Sequence, residues 1–366
     1  MVHQSRASGK CGVRELSECR RALGPSATKP LRINLAPSNY RPARNAAALP
    51  FLVQFTARIV LLLCSILAAG GSSAVDRPPE PGPRIWDVHA ARFVSEPQLV
   101  TALAAVRYRL LGEVHDNSEH PTIRARLIAA VAATGVRPAV VFEQLDLERD
   151  AAVVAAQAAG ADAERLADAG RLDRKGWLWP MHKPLFELAL RLGLPVRAGN
   201  VSREMLRGDL QAAVDRETGA IWYARLHGAR WTDEQAAALR ADIVEAHCGK
   251  LPPAIVPRLE LAQRVRDASM AQALVDGATP GGAILIAGNG HVRADLGVPV
   301  YLHAPGLPGA GAQSISLGLI EVAADEERAA DFPRQLVATH PGFDYVWFTR
   351  PAAREDPCAS IAEPAR

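Results

Sequence analysis

Two copies of one short pattern, far apart in the chain, constrain the fold more than any other feature. They are Gly112-Glu113-Val114-His115 and Gly288-Asn289-Gly290-His291. Each follows a short apolar run, Tyr108-Arg109-Leu110-Leu111 in the first case and Ala283-Ile284-Leu285-Ile286-Ala287 in the second. Each precedes a polar segment able to open a helix. An apolar run that short, bounded by glycine, reads as a buried strand, and glycine lets the backbone turn tightly off its end. In an open α/β sheet the loops at the carboxyl ends of the strands line the ligand crevice. The pair is therefore expected to bring Glu113, His115 and His291 to one site. Either motif alone reads equally well as a strand-ending turn with an incidental imidazole; the two together favour a site.

The rest of the chain fits that frame. Arg84–Asp87 reads as a first strand and Ser95–Val106 as a helix capped by Ser95, with Leu99, Leu103 and Val106 on one face. Ser118 is placed to cap a helix with Ile123, Leu127, Ile128 and Val131 on one side and Gly135 at its end. Pro138–Phe142 is a third strand, ending at Glu143. Such alternation requires a parallel-rich sheet flanked by helices, an α/β fold. Residues 147–192 and 202–275 are rich in Ala, Leu, Arg and Glu and read as helices, broken at Gly176–Pro184 and Gly249–Pro257, with Pro195–Ala198 the strand between them. After Pro280 the strand candidates are Ala283–Ala287, Val298–Leu302, Ser314–Val322 and Asp344–Thr349. The expected organisation is a leader over 1–74, a linker over 75–84 and an α/β domain built from 85–200 and 276–350. A smaller all-helical insertion domain is expected over 201–275, and a tail over 351–366.

The formal charge of +3 conceals an asymmetry. Residues 1–74 hold ten Lys/Arg against two Glu, which leaves the remainder acidic at −5. A mildly acidic folded part argues against a nucleic-acid surface. Ile59–Ala69 is apolar but too short to span a bilayer comfortably, and Ser72-Ser73-Ala74 offers the small residues a signal peptidase reads. Cleavage is expected after Ala74, giving an exported protein of the periplasm or envelope. Cys64 follows Leu61-Leu62-Leu63 rather than a small residue, which argues against a lipid anchor. Of five cysteines, only Cys248 and Cys358 lie beyond that point. An oxidising compartment favours their pairing.

Glu113 and His115 are two apart in an extended segment, so their side chains point the same way. Such a pair can converge with His291 on a divalent metal or act as general acid and base. Asp116 and Asn117 suit turn and cap duty as well as ligand contact, and His120 suits a surface position at the helix start. Glu143 either faces the crevice or pairs with a buried arginine. Asp267 is placed to orient one of the histidines or to pair with an arginine, and Met270 reads as core. Trp222, Tyr223 and His227, on one helix, make an aromatic patch that suits either a flat ligand or a helix–helix core.

Taken in order, these segments resemble the ChaN family of haem-binding, iron-regulated proteins within the haem-binding-uptake and Tiki superfamily. The likeness is carried by Leu111–Asn117, Val141-Phe142-Glu143, Ala198-Gly199-Asn200, His247–Pro252, Ala262–Ala268, Ala287–Arg293 with Gly297-Val298-Pro299, Phe343–Thr349 and Asp356-Pro357-Cys358. It implies an α/β domain with a smaller helical domain, an envelope location and a role in haem or iron uptake. It also implies a homodimer around haem, held by tyrosine, with an envelope haem transporter or receptor as a further partner. Candidate haem-binding residues are Tyr223, His227 and Tyr301. The superfamily also holds Tiki proteases and erythromycin esterases, and the matching catalytic positions here are Glu113, His115, Glu143 and His291. The likeness departs at Pro121, where family members often carry a second histidine, and in lacking an evident lipoprotein cysteine. Two functions compete: a haem-binding envelope protein, and a metal-dependent hydrolase using the two Gly-x-x-His motifs.

Overall fold

The apolar runs that precede the two glycines are strands, and they are neighbours. In the computed structural model, residues 84–207, 209–216, 221–323, 332–339 and 342–360 are described. The expected leader and cleavage site lie outside the described residues, as does nearly all of the linker. The elements run β1 (Ile85–Asp87), β2 (Arg92–Val94), α1 (Glu96–Ala105), β3 (Tyr108–Leu111), α2 (Glu119–Ala133) and β4 (Ala139–Asp146). Then come α3 (Asp150–Ala158), α4 (Ala163–Ala169), α5 (Trp179–Arg191), β5 (Val196–Asn200), α6 (Leu210–Arg216), α7 (Ile221–Gly228), α8 (Asp233–Ala246) and α9 (Val256–Gly277). The chain continues through β6 (Ala283–Ile286), α10 (Asn289–Val292), α11 (Val298–Leu302), β7 (Ser314–Glu321), α12 (Phe332–Thr339) and β8 (Tyr345–Thr349).

The eight strands form one sheet in the order β2-β1-β8-β7-β3-β6-β4-β5. From β8 to β5 every pairing is parallel, and β1 is antiparallel to both β2 and β8. β3 and β6 run in register, Leu111 beside Ile286. Their carboxyl ends therefore lie side by side, at the place where the chain leaves β3 toward β4 on one side and β6 toward β7 on the other.

Alternation along each strand divides the apolar side chains between two cores. Leu111, Val140, Phe142, Ile284 and Ile286 face one way, against Leu99 and Leu103 of α1, Ile123 and Leu127 of α2 and Leu185 and Phe186 of α5. Leu110, Val141 and Leu285 face the other, against Val265, Met270 and Leu274 of α9, Trp222 of α7 and Tyr301 of α11. Strands covered on both faces need apolar residues at every position, which is why these runs do not alternate with polar ones. Helices of the 201–275 stretch thus share a core with the sheet, and residues 77–366 form one compact unit.

Several elements differ from expectation. Val298–Leu302 is a helix, not a strand: Pro299 cannot donate to a ladder and suits a first helical turn. The break around Gly176–Pro184 is shorter than expected, because α5 starts at Trp179 and carries Pro184 inside it. Ser118 makes no side-chain cap; Asn117 Oδ1 instead accepts from Glu119 N at 2.9 Å. The three-residue β2 is too short to show a period and is not legible in the sequence. Ser95 caps α1 as expected, in a reciprocal capping box with Gln98. α8 ends where Cys248 and Gly249 adopt positive φ. Cys248 is bonded to Cys358, with Cα atoms 5.7 Å apart. Among the described residues no helix is long and apolar enough to cross a membrane.

Candidate functional site

Glu113 leaves the end of β3 and is buried beneath His115. Its Oε1 lies 2.9 Å from His115 Nδ1, and its Oε2 is bonded by the guanidinium of Arg124. The side chains of Glu113 and Arg124 are fully buried, whereas that of His115 is 49% exposed. With Nδ1–H donated to the carboxylate, His115 keeps its lone pair on Nε2. Burial lowers the His115 pKa, but the hydrogen bond donated to Glu113 and then the charge of Glu143 outweigh it, so the ring titrates above its ordinary value. The indole of Trp177 meets the ring edge-on at 5.1 Å between centroids. His182, buried on α5, lies 3.9 Å from Glu113 Oε2. Burial, the largest influence, holds its pKa below the usual value.

The turn after His115 is a brace. His120 is buried, not a surface residue. Its Nδ1 accepts from Val114 N at 2.8 Å, and its Nε2 meets Thr349 Oγ1 at 2.9 Å. Burial and the nearby Arg124 push its pKa down to about 4, so it is neutral in ordinary buffers. Asn117 donates to Glu321 Oε1 at 2.6 Å and to the Arg350 carbonyl at 2.9 Å. Asp116 is taken by Arg354 at 2.8 Å.

His291 sits in α10, immediately after β6, and is buried between two carboxylates. Its Nδ1 donates to Asp267 Oδ1 at 2.6 Å, and its Nε2 lies 3.1 Å from Glu143 Oε1. Desolvation opposes protonation, but Glu143 and Asp267 together raise the His291 pKa to about 10. The imidazolium holds Glu143 well below the usual carboxylate range despite burial. Glu143 Oε2 also accepts from Gly288 N at 2.8 Å. Asp267 continues the stripe that α9 buries with Met270, Ala271 and Leu274. Burial raises its pKa to about 6, against the pull of His291.

Two glycines allow the motifs to meet. A Cβ on Gly288 would lie 2.8 Å from His115 Nε2, so the imidazole of one motif rests on the glycine of the other. A Cβ on Gly112 would collide with Asn289 Oδ1. That side chain bridges to β7, donating to Leu319 O at 2.7 Å and accepting from Leu319 N at 3.1 Å.

His115, Glu143 and His291 open on one cavity of about 590 Å³, with Trp177, Gln144 and Asn200 also in its wall. Glu113 lies behind His115 and outside that wall. Both of its oxygens are engaged, and Glu143 is engaged by His291 and Gly288. The donor set therefore does not fit the expected divalent-metal site of His115, Glu113 and His291. Among the described residues no group of three or more His, Cys, Asp or Glu side chains is arranged to hold a metal ion.

The haem-binding candidates lie elsewhere. Tyr301 is buried and accepts from Arg264 Nε at 3.2 Å; burial pushes its phenol pKa up. A phenol so placed presents no face to a porphyrin and resists the deprotonation that iron ligation needs. Tyr223 is half-buried on α7, and its ring lies 4.1 Å from that of the exposed His227, one helical turn on. Trp222 beside it is core.

Arg124 carries more of the site than sequence reasoning assigned to it. Its signal was available: it continues the stripe His120, Leu127, Val131 at helical spacing, and a charged residue on a buried stripe needs a buried partner. Gln144 had none, because strand alternation points it away from Glu143. A register shift between Phe142 and Asp146 lets both reach the cavity.

Residues 99–302 match a family model described as haem-binding uptake, Tiki superfamily, ChaN. Among solved structures, ChaN of Campylobacter jejuni, described as binding heme cofacially, is similar at 19% identity and a TM-score of 0.54. The match covers 72% of this chain and 94% of that one. The type III effector HopBA1 is matched at 14% identity and a TM-score of 0.37, over 69% of this chain and 92% of that one. The RRSP effector domain of a Vibrio vulnificus MARTX toxin is matched at 16% identity and a TM-score of 0.34, over 58% of this chain and 35% of that one. No curated protein is significantly similar to the chain.

Proposed function

The chain belongs to the haem-binding uptake family of the Tiki superfamily that includes ChaN, and on that premise we propose that it binds haem. We further propose that it dimerises around the haem and acts in haem or iron uptake at the cell envelope, delivering to or receiving from an envelope transporter. The observation that carries the ligand assignment is Tyr223: a half-buried phenol with an exposed imidazole against its ring. Tyr223 would hold the iron and His227 would accept or share the phenol proton. Bound haem would supply an iron centre with a strong visible absorption. The Campylobacter ChaN structure, in which haem binds cofacially, supports the dimeric part of the reading. Titrating the mature protein with hemin should give a shifted Soret band and a shift from monomer to dimer in sedimentation velocity. Tyr223→Phe should lose the band. A spectrum identical to that of free hemin would overturn the proposal.

A second reading rests on a different observation, the convergence of both Gly-x-x-His motifs on one cavity. It is metal-free hydrolysis. His115, oriented by Glu113, takes a proton from water at Nε2 while the water attacks an ester carbonyl, and returns it to the departing alkoxide as the carbonyl re-forms and the ester C–O bond breaks. The imidazolium of His291, fixed by Glu143 and Asp267, lies in the same cavity wall and stabilises negative charge developing there. Turnover of nitrophenyl acetate, abolished in His115→Ala, tests it; undiminished turnover in that variant would reject it.

A further inference from the structure

Two polar side chains in the wall of the cavity are buried and incompletely bonded. Gln144 is 3% exposed and neither amide atom has a hydrogen-bond partner; Asn200 is 9% exposed and its Oδ1 has none. Buried polar atoms are nearly always paired, and both residues line the cavity, so rotating either amide toward it would give these atoms partners on a ligand. Cations stand beside them. Arg171 and Arg203 are held by Glu204 and Asp173; Arg207 and Arg266 lie in the same wall, and the buried Nε of Arg266, whose charge is felt by Asp267, has no hydrogen-bond partner. A second cavity of about 320 Å³ adjoins the first, with Val201, Glu204 and Arg207 in the walls of both. Its remaining wall is Leu147, Met205, Ala213 and Trp222, with Arg216 and with Glu148, whose carboxylate accepts from Ser202.

The geometry points to a substrate with a carboxylate head and an apolar arm. We propose that the carboxylate is held by Arg266 and by Gln144 Nε2, that the amide oxygens of Gln144 and Asn200 accept from a donor elsewhere on the ligand, and that the arm passes Arg207 into the second cavity. This rests on the hydrolytic reading of the crevice, not on haem binding. A guanidinium fork matches the two oxygens of a carboxylate. Asp146 and Glu204 in the same wall disfavour a doubly charged phosphate.

Calorimetric titration with three inert probes tests the assignment: phenylbutyrate, its neutral amide and phenylpropyl phosphate. The acid should bind roughly ten- to hundredfold more tightly than the amide. That preference should vanish in Arg266→Gln and persist in Arg266→Lys. A fall in the affinity of both acid and amide in Met205→Asp, with the wild-type circular dichroism retained, would support the second cavity as the seat of the arm. Equal binding of acid and amide, no binding of either up to millimolar concentration, or a preference that survives Arg266→Gln in a folded variant would overturn the proposal. Tighter binding of the phosphate would overturn the carboxylate assignment. His115→Ala separates the two readings: loss of ester turnover with the acid preference intact supports both, and turnover unaffected with the preference intact rejects hydrolysis alone.

Discussion

The two Gly-x-x-His segments share a pattern and a position in the sheet, yet their histidines live in different physical worlds. His115 stands at the mouth of the cavity, half exposed, tethered by one nitrogen. His291 is locked between Glu143 and Asp267, with both nitrogens engaged and a pKa near 10. One imidazole is open to the cavity and held by one nitrogen; the other is a fixed cation. A shared motif here supplies position, and the neighbours decide the chemistry.

The largest expected difference is in stability. His291→Ala strands two buried carboxylates and should cost about 3–5 kcal/mol in urea denaturation. His115→Ala leaves Glu113 paired with Arg124 and should cost within about 1 kcal/mol. Equal losses would break the comparison.

The contrast should next appear in pH dependence. His291 has a folded pKa raised above its unfolded value, so its contribution is fully present below about pH 6.5 and lost as pH rises through about 10. Denaturation midpoints should fall across that window by the equivalent of a few kcal/mol, on the order set by linkage. The fall should be much smaller in His291→Gln. A midpoint that holds steady from neutral pH to pH 10 would show that the imidazolium is not there.

The glycines sharpen it further. Gly112→Ala meets the Asn289 side chain and, at 2.9 Å, the Leu317 carbonyl. Backbone cannot easily yield, so a loss of roughly 1–3 kcal/mol is expected. Gly288→Ala meets only the ring of His115. It should cost less stability while disturbing ester turnover, and calorimetry alongside turnover checks both.

The smallest effect concerns the flank of the first motif alone. Asn117→Ala removes a helix cap and two further bonds and should cost about 1–2 kcal/mol. Ser118→Ala should change stability by less than about 0.5 kcal/mol. The reverse ranking in thermal melts would return the cap to Ser118.

Much of this was legible. Strands buried on both faces are short unbroken apolar runs, and their glycine ends mark the crevice, so the sheet core and the meeting of His115 and His291 follow from pattern, whereas the place of Glu143 was one of two readings left open. The Asp267 partnership was one of two readings that pattern left open. Hidden were the features decided by register and long-range pairing. Glu113 is spent on Arg124, which removes it from the metal set. A register shift admits Gln144 to the cavity. Tyr301 falls in a helix that Pro299 starts, and so faces the core instead of a porphyrin.

The bond between Cys248 and Cys358 makes a covalent ring of the chain between them. Inside it lie α9, β6, β7 and β8, with Asp267 and the whole second motif; β3, β4 and the first motif lie outside. Yet β3 is inserted between β7 and β6, so ring and non-ring strands are interleaved and the cavity straddles the boundary. A single backbone nick within the ring would leave the molecule one covalent piece. Such a cut would pass unseen on a non-reducing gel, and if placed between Cys248 and Asp267 it would let the two halves of the site separate only after both reduction and unfolding.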